Sequence, residues 1–324
     1  MNARERILAA MAWEEPDRVP LTIYDWMLPR GVDERTLRRL GVGIITRLPA
    51  HRVEHRQVRY TTTEYWEGGL HMQRRTIETP VGAVHQVAQL DAAYGSTWIR
   101  EHYIKAPDDY RVMEFVWRDV VFHDNLAAIR LAQRLLGGDG LVMVRVAKGP
   151  LLEMLYQMMG YERFSIDLYE CPDLVDSLYH TMLRRYEELY ALAAETPAEI
   201  LQAADNITAD VVGRARFQRY CVAEYARWSA ILAVSGKRLA VHMDGRLGPL
   251  VDAIAAAPFQ IVEALTPTPV GDLSVAQARQ AWPDKALWLN FTSSVHLEPD
   301  EAIRAHTRQL IAEAGSKRGF AIGI

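Results

Sequence analysis

The stretch GKRLAVHMDG, Gly236–Gly245, decides how the rest of the chain is interpreted. Its apolar part, Arg238 to Val241, predicts a short buried strand behind a Gly-Lys turn. That strand leads into His242 and Asp244, and a new helix is predicted to begin near Leu247. Parallel α/β sheets and barrels build their sites from polar side chains at the carboxyl ends of strands. The stretch therefore predicts one wall of a site.

The same pattern recurs along the chain. Apolar runs lead into Asp205-Asn206, Glu263 and Asn290, each followed by a helical segment, and 319–324 is a last apolar run. This alternation favours a (β/α)8 TIM-type barrel in one domain spanning 1–324. The predicted strand ends share a polar side chain at the barrel mouth: Asp25, Lys148, Asp205, His242, Glu263 and Asn290.

The N-terminal third departs from this pattern between residues 53 and 98. Short alternating runs, with turns at Gly68-Gly69 and at 80–82, predict an antiparallel excursion inserted in the barrel domain. Its aromatic side chains form either a lid or the insertion's own packing: Trp66, His71, Tyr94 and Trp98.

Composition limits the possible functions. The chain has 324 residues, 49% of them hydrophobic, and a net charge of -4 without a basic stripe, which argues against nucleic acid as a partner. No long uninterrupted apolar window predicts a membrane span, and residues 1–20 lack the apolar core of a secretory signal. Two isolated cysteines, Cys171 and Cys221, suit a reducing compartment. We expect a cytoplasmic protein, monomeric or homodimeric.

Residues at the predicted strand ends are the candidate site. We expect His242, Glu263 and Asp205 to act in catalysis, with His242 and Glu263 on neighbouring strands about 5 Å apart. Asp205 and Asn206 are also favoured helix caps, so a structural role is the alternative. The predicted substrate-binding residues lie at or just after the ends of four of these predicted strands: Tyr24, Asp25, Trp26, Asn206, Asp244 and Asn290.

Several phrases, in this order and spacing, resemble the uroporphyrinogen decarboxylase superfamily over essentially the whole chain. They are RERILAAMAWEEPDRVP at 4–20, EHYIKAPDDY at 101–110, DNITADVVG at 205–213, GKRLAVHMDG, and ALTPTPVGDLSVAQARQAWPDK at 264–285. The resemblance implies a TIM-type barrel with its active site at the carboxyl ends of the strands.

The chain is more similar to one branch of that superfamily than to the other. True uroporphyrinogen decarboxylases carry an arginine-rich RQAGR signature, where this chain has VPLTIYDWMLPRG at 19–31 with Arg30 alone. The other branch contains methylcobalamin:coenzyme M methyltransferases and corrinoid demethylation enzymes, which hold zinc with His-x-Cys and a later Cys. His242 matches that histidine, Asp244 replaces the first cysteine, and the later cysteine has no counterpart.

Two interpretations of the site remain open. In the first, zinc is held by His242, Asp244 and Glu263, a harder ligand set than the thiolates of the family. In the second, His242 is a hydrogen-bonded pocket histidine and the acids bind substrate directly.

The resemblance implies a methyltransferase of a corrinoid-dependent demethylation system. Its partners would be a small methylated substrate and a protein carrying the corrinoid, methylcobalamin in its methylated form. The alternative is a uroporphyrinogen decarboxylase-like carboxy-lyase, in which Arg30, Lys148 and Arg246 would hold substrate carboxylates. A third hypothesis is a non-catalytic binding protein that retains the barrel.

Overall fold

The computed structural model describes residues 1–92 and 96–324. The strands are β1 (Leu21–Tyr24), β2 (Gly43–Pro49), β3 (His51–His55), β4 (Arg59–Glu67), β5 (Leu70–Thr79), β6 (Gly82–Gln89), β7 (Trp98–Glu101), β8 (Val120–Asp124), β9 (Gly140–Val146), β10 (Ile200–Ala203), β11 (Arg238–His242), β12 (Ile261–Leu265), β13 (Ala286–Asn290) and β14 (Phe320–Gly323).

The α-helices are α1 (Ala3–Met11), α2 (Val32–Leu40), α3 (Pro107–Asp119), α4 (Leu126–Leu136), α5 (Pro150–Glu153), α6 (Gly160–Glu170), α7 (Pro172–Ala194), α8 (Ala209–Val212), α9 (Arg214–Arg216), α10 (Val222–Ala233), α11 (Val251–Ala256), α12 (Val275–Ala281) and α13 (Asp300–Ala314). Among the described residues, no helix combines the length and apolar character needed to cross a membrane.

The chain divides into two compact units. The first comprises Met1–Ala50, Asp124–Ala147 and Tyr190–Ile324, and the second comprises His51–His123 and Lys148–Leu189. In the first unit, strands β1, β2, β9, β10, β11, β12, β13 and β14 form a closed parallel barrel in that order, with β14 returning to β1. The predicted (β/α)8 barrel is confirmed.

The ends of the barrel strands lie close to their predicted positions. His242 and Asn290 end β11 and β13 as predicted, while Asp25, Lys148 and Asp205 follow the last residues of β1, β9 and β10. Glu263 is a correction, because it is the middle residue of β12 rather than its end. The strand continues because Leu265 resumes pairing with Leu289 of β13 after an irregularity in the ladder.

Strand β2 was not among the sequence predictions. Its sequence, GIITRLP, has only two consecutive apolar residues after Gly43, and Thr46, Arg47 and Pro49 interrupt the pattern. The strand is nevertheless paired with β1 and β9 on both sides. Gly140 permits the pairing with β9, since a Cβ there would lie 1.9 Å from the Ile44 carbonyl oxygen.

Helix α1 covers the amino ends of the barrel strands. Asn2 caps it by accepting a hydrogen bond from the Glu5 amide, and the Glu5 side chain accepts one from the Asn2 amide. Its side chains Ile7, Ala10 and Met11 are at most 1% exposed and join the barrel core, whose other members come from the strands: Ile45, Leu141, Met143, Ile200, Ala240, Ile261, Ala286, Trp288 and Ala321. Full burial of a side chain such as Ile or Met contributes roughly 1.5–3 kcal/mol to stability. The helix thus stabilises the barrel while it closes the core at the amino ends of the strands, which we call the lower end.

The second unit contains the predicted antiparallel excursion. Strands β4, β5, β6 and β7 form an antiparallel sheet, and β3 pairs with β8. Trp66 stacks on His71 with ring centroids 4.9 Å apart, whereas Tyr94 lies outside the described residues. Because the unit also takes in residues 148–189, it is larger than the predicted 53–98 insertion. The organisation of the chain as one domain stays a prediction.

Candidate active site at the carboxyl ends of the barrel strands

Side chains that point into the barrel form two successive levels along the strands. The level nearer the amino ends of the strands is apolar, and the next level toward their carboxyl ends, the polar level, is polar. The core residues Ile45, Met143, Ile200, Ala240 and Ile261 lie on five strands, and on each of these strands the residue two positions later is polar. Successive side chains alternate between the two faces of a strand, so both sets face the interior. The polar set is Arg47, Arg145, Gln202, His242 and Glu263.

His242 and Glu263 form a close pair inside the barrel. They are register partners on β11 and β12, and Nδ1 of the imidazole lies 2.5 Å from Oε2 of the carboxylate. Burial disfavours the imidazolium, but the Glu263 charge, together with Asp244, outweighs it and raises the pKa of His242 to about 9. Burial likewise acts against the Glu263 carboxylate, yet its partners hold its pKa below the ordinary value. At neutral pH the pair is therefore ionic.

The remaining hydrogen-bonding capacity of Glu263 is used by two further side chains. The Tyr24 hydroxyl donates to Oε1, and Gln202 Nε2 donates to Oε2 at 2.6 Å. Burial and the adjacent carboxylate raise the pKa of Tyr24, which keeps the hydroxyl protonated as a donor. Glu263 is 1% exposed and accepts hydrogen bonds at both oxygens, as a buried carboxylate must.

Asp244 approaches the other side of the imidazole. Its Oδ2 lies 3.5 Å from Nε2 of His242, and its side chain is 38% exposed. Nε2 is consequently the imidazole nitrogen nearer to solvent, while Nδ1 is held by Glu263. Catalytic histidines are commonly oriented in this way, one nitrogen fixed by a carboxylate and the other directed at substrate.

The zinc interpretation does not fit this arrangement. A zinc ligand is a neutral imidazole, and because Nδ1 of His242 is bound to Glu263, Nε2 is the nitrogen left for a metal. Both oxygens of Glu263 are also engaged. Within the described residues, no three His, Cys, Asp or Glu side chains are grouped to hold a metal ion. Of the two interpretations, the geometry favours the one in which His242 is a hydrogen-bonded histidine of the pocket, and metal binding by these residues stays a prediction.

The other predicted site residues are spread around the upper end of the barrel. Asp205 is 1% exposed and accepts a 2.6 Å hydrogen bond from the Tyr225 hydroxyl of α10. Asn206 follows with φ of 53°, a conformation that asparagine tolerates better than most residues. Asn290, at the end of β13, lines a small cavity together with Tyr24 and Glu263.

Asp25 and Trp26 lie elsewhere. They line an open groove whose wall includes Ile44 and Thr46, residues of β2 that alternate with the inward-facing Ile45 and Arg47. This groove is therefore on the outer side of the barrel. Trp26 is 69% exposed, and its role in substrate binding stays a prediction.

Three residues of the polar level, Arg47, Arg145 and Gln202, were missed at the level of sequence. Each stands inside a predominantly apolar strand, in GIITRLP, GLVMVRV and ILQA respectively. A lone polar residue two positions after an interior apolar residue is the signal that could have identified them.

The three cations expected to hold substrate carboxylates in a carboxy-lyase, Arg30, Lys148 and Arg246, do not belong to the polar level. The Arg30 side chain is 83% exposed, and Arg246 lies 3.5 Å from Asp210 and 3.7 Å from Asp272. Lys148 belongs to the second unit, where its ammonium lies 5.0 Å from the centre of the Tyr156 ring.

The backbone immediately after Glu263 is strained. Ala264 has φ of 62°, in the left-handed region, and the pairing with β13 shifts register between Glu263 and Leu265. A non-glycine residue in this conformation costs on the order of 1 kcal/mol or more, and such residues cluster at functional sites. The strain is consistent with a site centred on Glu263.

Comparison with solved structures reveals a similar fold. A methyltransferase from Methanosarcina mazei matches with a TM-score of 0.59 and 11% identity, covering 100% of this chain and 92% of that chain. A GH5-4 broad specificity endoglucanase from an uncultured bacterium gives a TM-score of 0.33 and 10% identity over 62% of this chain and 68% of that one, too low to support an argument. No curated protein matches the chain.

A family model gives the assignment of the chain. The model described as Uroporphyrinogen decarboxylase (URO-D) matches residues 95–324, which include β9 to β14 and hence Arg145, Gln202, His242 and Glu263. With well over half of its length matched, and with a closed barrel carrying a polar cluster at the carboxyl ends of its strands, the chain belongs to the uroporphyrinogen decarboxylase family.

Proposed function

We propose that the protein is a methyltransferase that moves a methyl group from a small methylated substrate to a corrinoid carried by a partner protein. The observation that carries the proposal is the His242–Glu263 pair, a buried ionic pair whose second imidazole nitrogen is nearer to solvent. Family membership and the resemblance to the corrinoid demethylation branch support the same reaction class.

The chemistry requires a proton at the leaving group. When a methyl–oxygen bond breaks and the methyl group is taken by a nucleophile, the oxygen keeps the bonding electrons and needs a proton to depart as a neutral alcohol. The reduced corrinoid supplies the nucleophile when bound. His242, protonated at neutral pH, donates the proton from Nε2, and Glu263 stabilises the imidazolium beforehand. Tyr24 and Gln202 hold Glu263 in position.

A carboxy-lyase is the second candidate, and one observation favours it. Arg47 and Arg145 place two guanidinium groups in the same polar level as His242, and decarboxylation needs cations to hold substrate carboxylates. The same His242 would then protonate the carbanion left after loss of CO2.

The proposal is tested with free cob(I)alamin in place of the partner protein. The purified protein is mixed with cob(I)alamin and either 4-methoxybenzoate or methoxyacetate, and methylcobalamin is followed by its absorbance and the demethylated product by mass spectrometry. We expect methylcobalamin to form with the parent, and His242→Asn to lower the rate by about 10²-fold or more, the usual contribution of a general acid.

Val234→Ala is the control, because Val234 is 89% exposed directly after α10 and precedes the start of β11, at the opposite end of that strand from His242. It should retain the parent rate. Absence of methylcobalamin with both methyl donors, together with CO2 release from a porphyrinogen carboxylate, would overturn the proposal in favour of the carboxy-lyase.

A further inference from the structure

The polar level of the barrel carries more positive than negative charge. Among the described residues, three cations, Arg47, Arg145 and the protonated His242, lie near two carboxylates: Glu263 inside the barrel and Asp244 beside the imidazole. Glu263 already accepts hydrogen bonds from Tyr24, Gln202 and His242. Like charges gathered in a partly enclosed space repel one another, so this level is suited to an additional anion.

Arg145 has no internal partner that would account for its position. Within residues 1–92 and 96–324 its side chain makes no hydrogen bond or ion pair, although it is close enough to Arg47, Glu263 and Tyr24 to interact electrostatically. Its side chain is exposed to solvent even though it lies on the inward face of β9. Partial burial and then the neighbouring Arg47 lower the pKa of Arg145, so the guanidinium stands in surroundings that disfavour its charge.

Arg47 is oriented by an aromatic ring rather than by an acid. Its guanidinium carbon lies 4.0 Å from the centre of the Tyr24 ring, in a cation–π contact. Tyr24 in turn donates to Glu263, so the arginine is linked to the candidate catalytic pair through one side chain. A planar guanidinium held by its face leaves its edge donors free for a planar acceptor.

We propose that Arg47 and Arg145 bind a carboxylate of the methylated substrate. This deepens the proposed function by naming the substrate class, and it rests on that function. A guanidinium fork matches a carboxylate in a two-bond geometry that neutral groups cannot reproduce.

The proposal places the carboxylate a short distance from the reacting group. Arg145 and Gln202 are register partners on neighbouring strands, and Gln202 contacts Glu263. Strands of a sheet are about 4.8 Å apart. A small molecule can therefore hold its carboxylate at Arg145 and its leaving oxygen near His242.

The test measures binding without corrinoid or turnover. Calorimetry compares 4-methoxybenzoate with 4-methoxybenzamide, and methoxyacetate with methoxyacetamide, on the parent, Arg145→Gln and Arg47→Gln. We expect the parent to bind at least one of the carboxylates about tenfold or more tighter than its amide. Each variant should lose that preference while its affinity for the amide is unchanged.

Arg238→Gln is the matched control. Arg238 is the first residue of β11, at the opposite end of the barrel from His242, and the substitution removes the same charge. It should keep the full carboxylate preference. Arg145→Gln should also unfold at a temperature no lower than the parent in the absence of ligand, because it relieves repulsion from Arg47 without breaking a contact.

Any of four results would overturn the proposal. The parent could bind acid and amide with equal affinity, or bind neither carboxylate. Arg145→Gln could keep the full preference for the carboxylate over its amide. The parent could also bind inorganic phosphate more tightly than both carboxylates, which would make the polar level a phosphate site. Because no corrinoid is present, these outcomes are independent of the methyl-transfer assay. A retained carboxylate preference without methyl transfer would contradict only the proposed reaction.

Discussion

Nδ1 of His242 lies 2.5 Å from Oε2 of Glu263, across the pairing of two neighbouring barrel strands. The two residues are in direct register, so the contact is set by the backbone of β11 and β12 rather than by a flexible loop. A site built in this way is rigid, and its protonation state is coupled to the stability of the barrel itself.

The stability of the protein should fall as pH rises above neutrality. The pKa of His242 is about 9 in the folded chain against an ordinary value of 6.5, so the folded state holds the proton more tightly. The stabilisation is full below pH 6.5 and is lost as pH rises through 9, a change on the order of 3 kcal/mol. Urea unfolding at a series of pH values measures it.

His242→Gln is the comparison for that experiment. Other titrating groups are shared by both proteins, so the difference between their unfolding free energies isolates His242. The same slope in parent and variant between pH 6.5 and 9 would contradict the assigned ion pair. The depressed pKa of Glu263 acts at acidic pH. There the stability that its carboxylate contributes is lost as pH falls through the pKa of Glu263 in the folded chain.

Removing the charge of Glu263 should cost far more than removing one of its hydrogen bonds. Glu263→Gln leaves a buried imidazolium without its counter-ion, which costs about 3–5 kcal/mol or forces His242 to lose its proton. Tyr24→Phe removes one donor to the same carboxylate and should cost about 1–2 kcal/mol. The free energy of unfolding and the titration of His242 by NMR distinguish the two. Equal effects of both substitutions would count against the ionic pair.

Zinc should not bind at one ion per chain through His242 and Glu263. It would have to displace Tyr24 and Gln202 from Glu263 and remove the proton from His242. Elemental analysis of protein purified without chelator provides the measurement, with His242→Ala and Glu263→Gln in parallel. One zinc per parent chain, lost in both variants, would restore the metal interpretation.

Uroporphyrinogen III should not be turned over. Its several carboxylates need several cations, whereas the interior level offers Arg47 and Arg145, and Arg246 already faces Asp210 and Asp272. Burying an uncompensated carboxylate costs several kcal/mol. Release of CO2 from this compound by purified protein is the measurement, and ordinary turnover would disprove the expectation.

The sequence predicted the barrel well because its strands are short, buried and followed by polar residues. GKRLAVHMDG alone located β11, His242 and the upper end of the barrel. His242 and Glu263 were placed together from chain order, because successive strands of a (β/α) barrel are neighbours. That prediction of proximity is confirmed by the 2.5 Å contact.

The rest of the cluster depended on side-chain direction, which sequence order does not supply. Gln202 stands one position before the end of β10, whereas the site candidates chosen from the sequence were the polar residues that follow the strand, Asp205 and Asn206. Arg47 lies on a strand whose pattern was too irregular to recognise. The protonation of His242 also depended on tertiary contacts, since its counter-ion is 21 residues away in the chain.

The irregular backbone at Ala264 affects how the protein tolerates sequence change. Because the pairing of β12 shifts by one residue after Glu263, the segment that follows is out of phase with the regular ladder. Insertions, deletions and substitutions in the loop after Leu265 can be absorbed at this discontinuity before they move the carboxylate. The loops at the carboxyl ends of the strands can thus change in sequence and bind new substrates while the His242–Glu263 pair keeps its geometry.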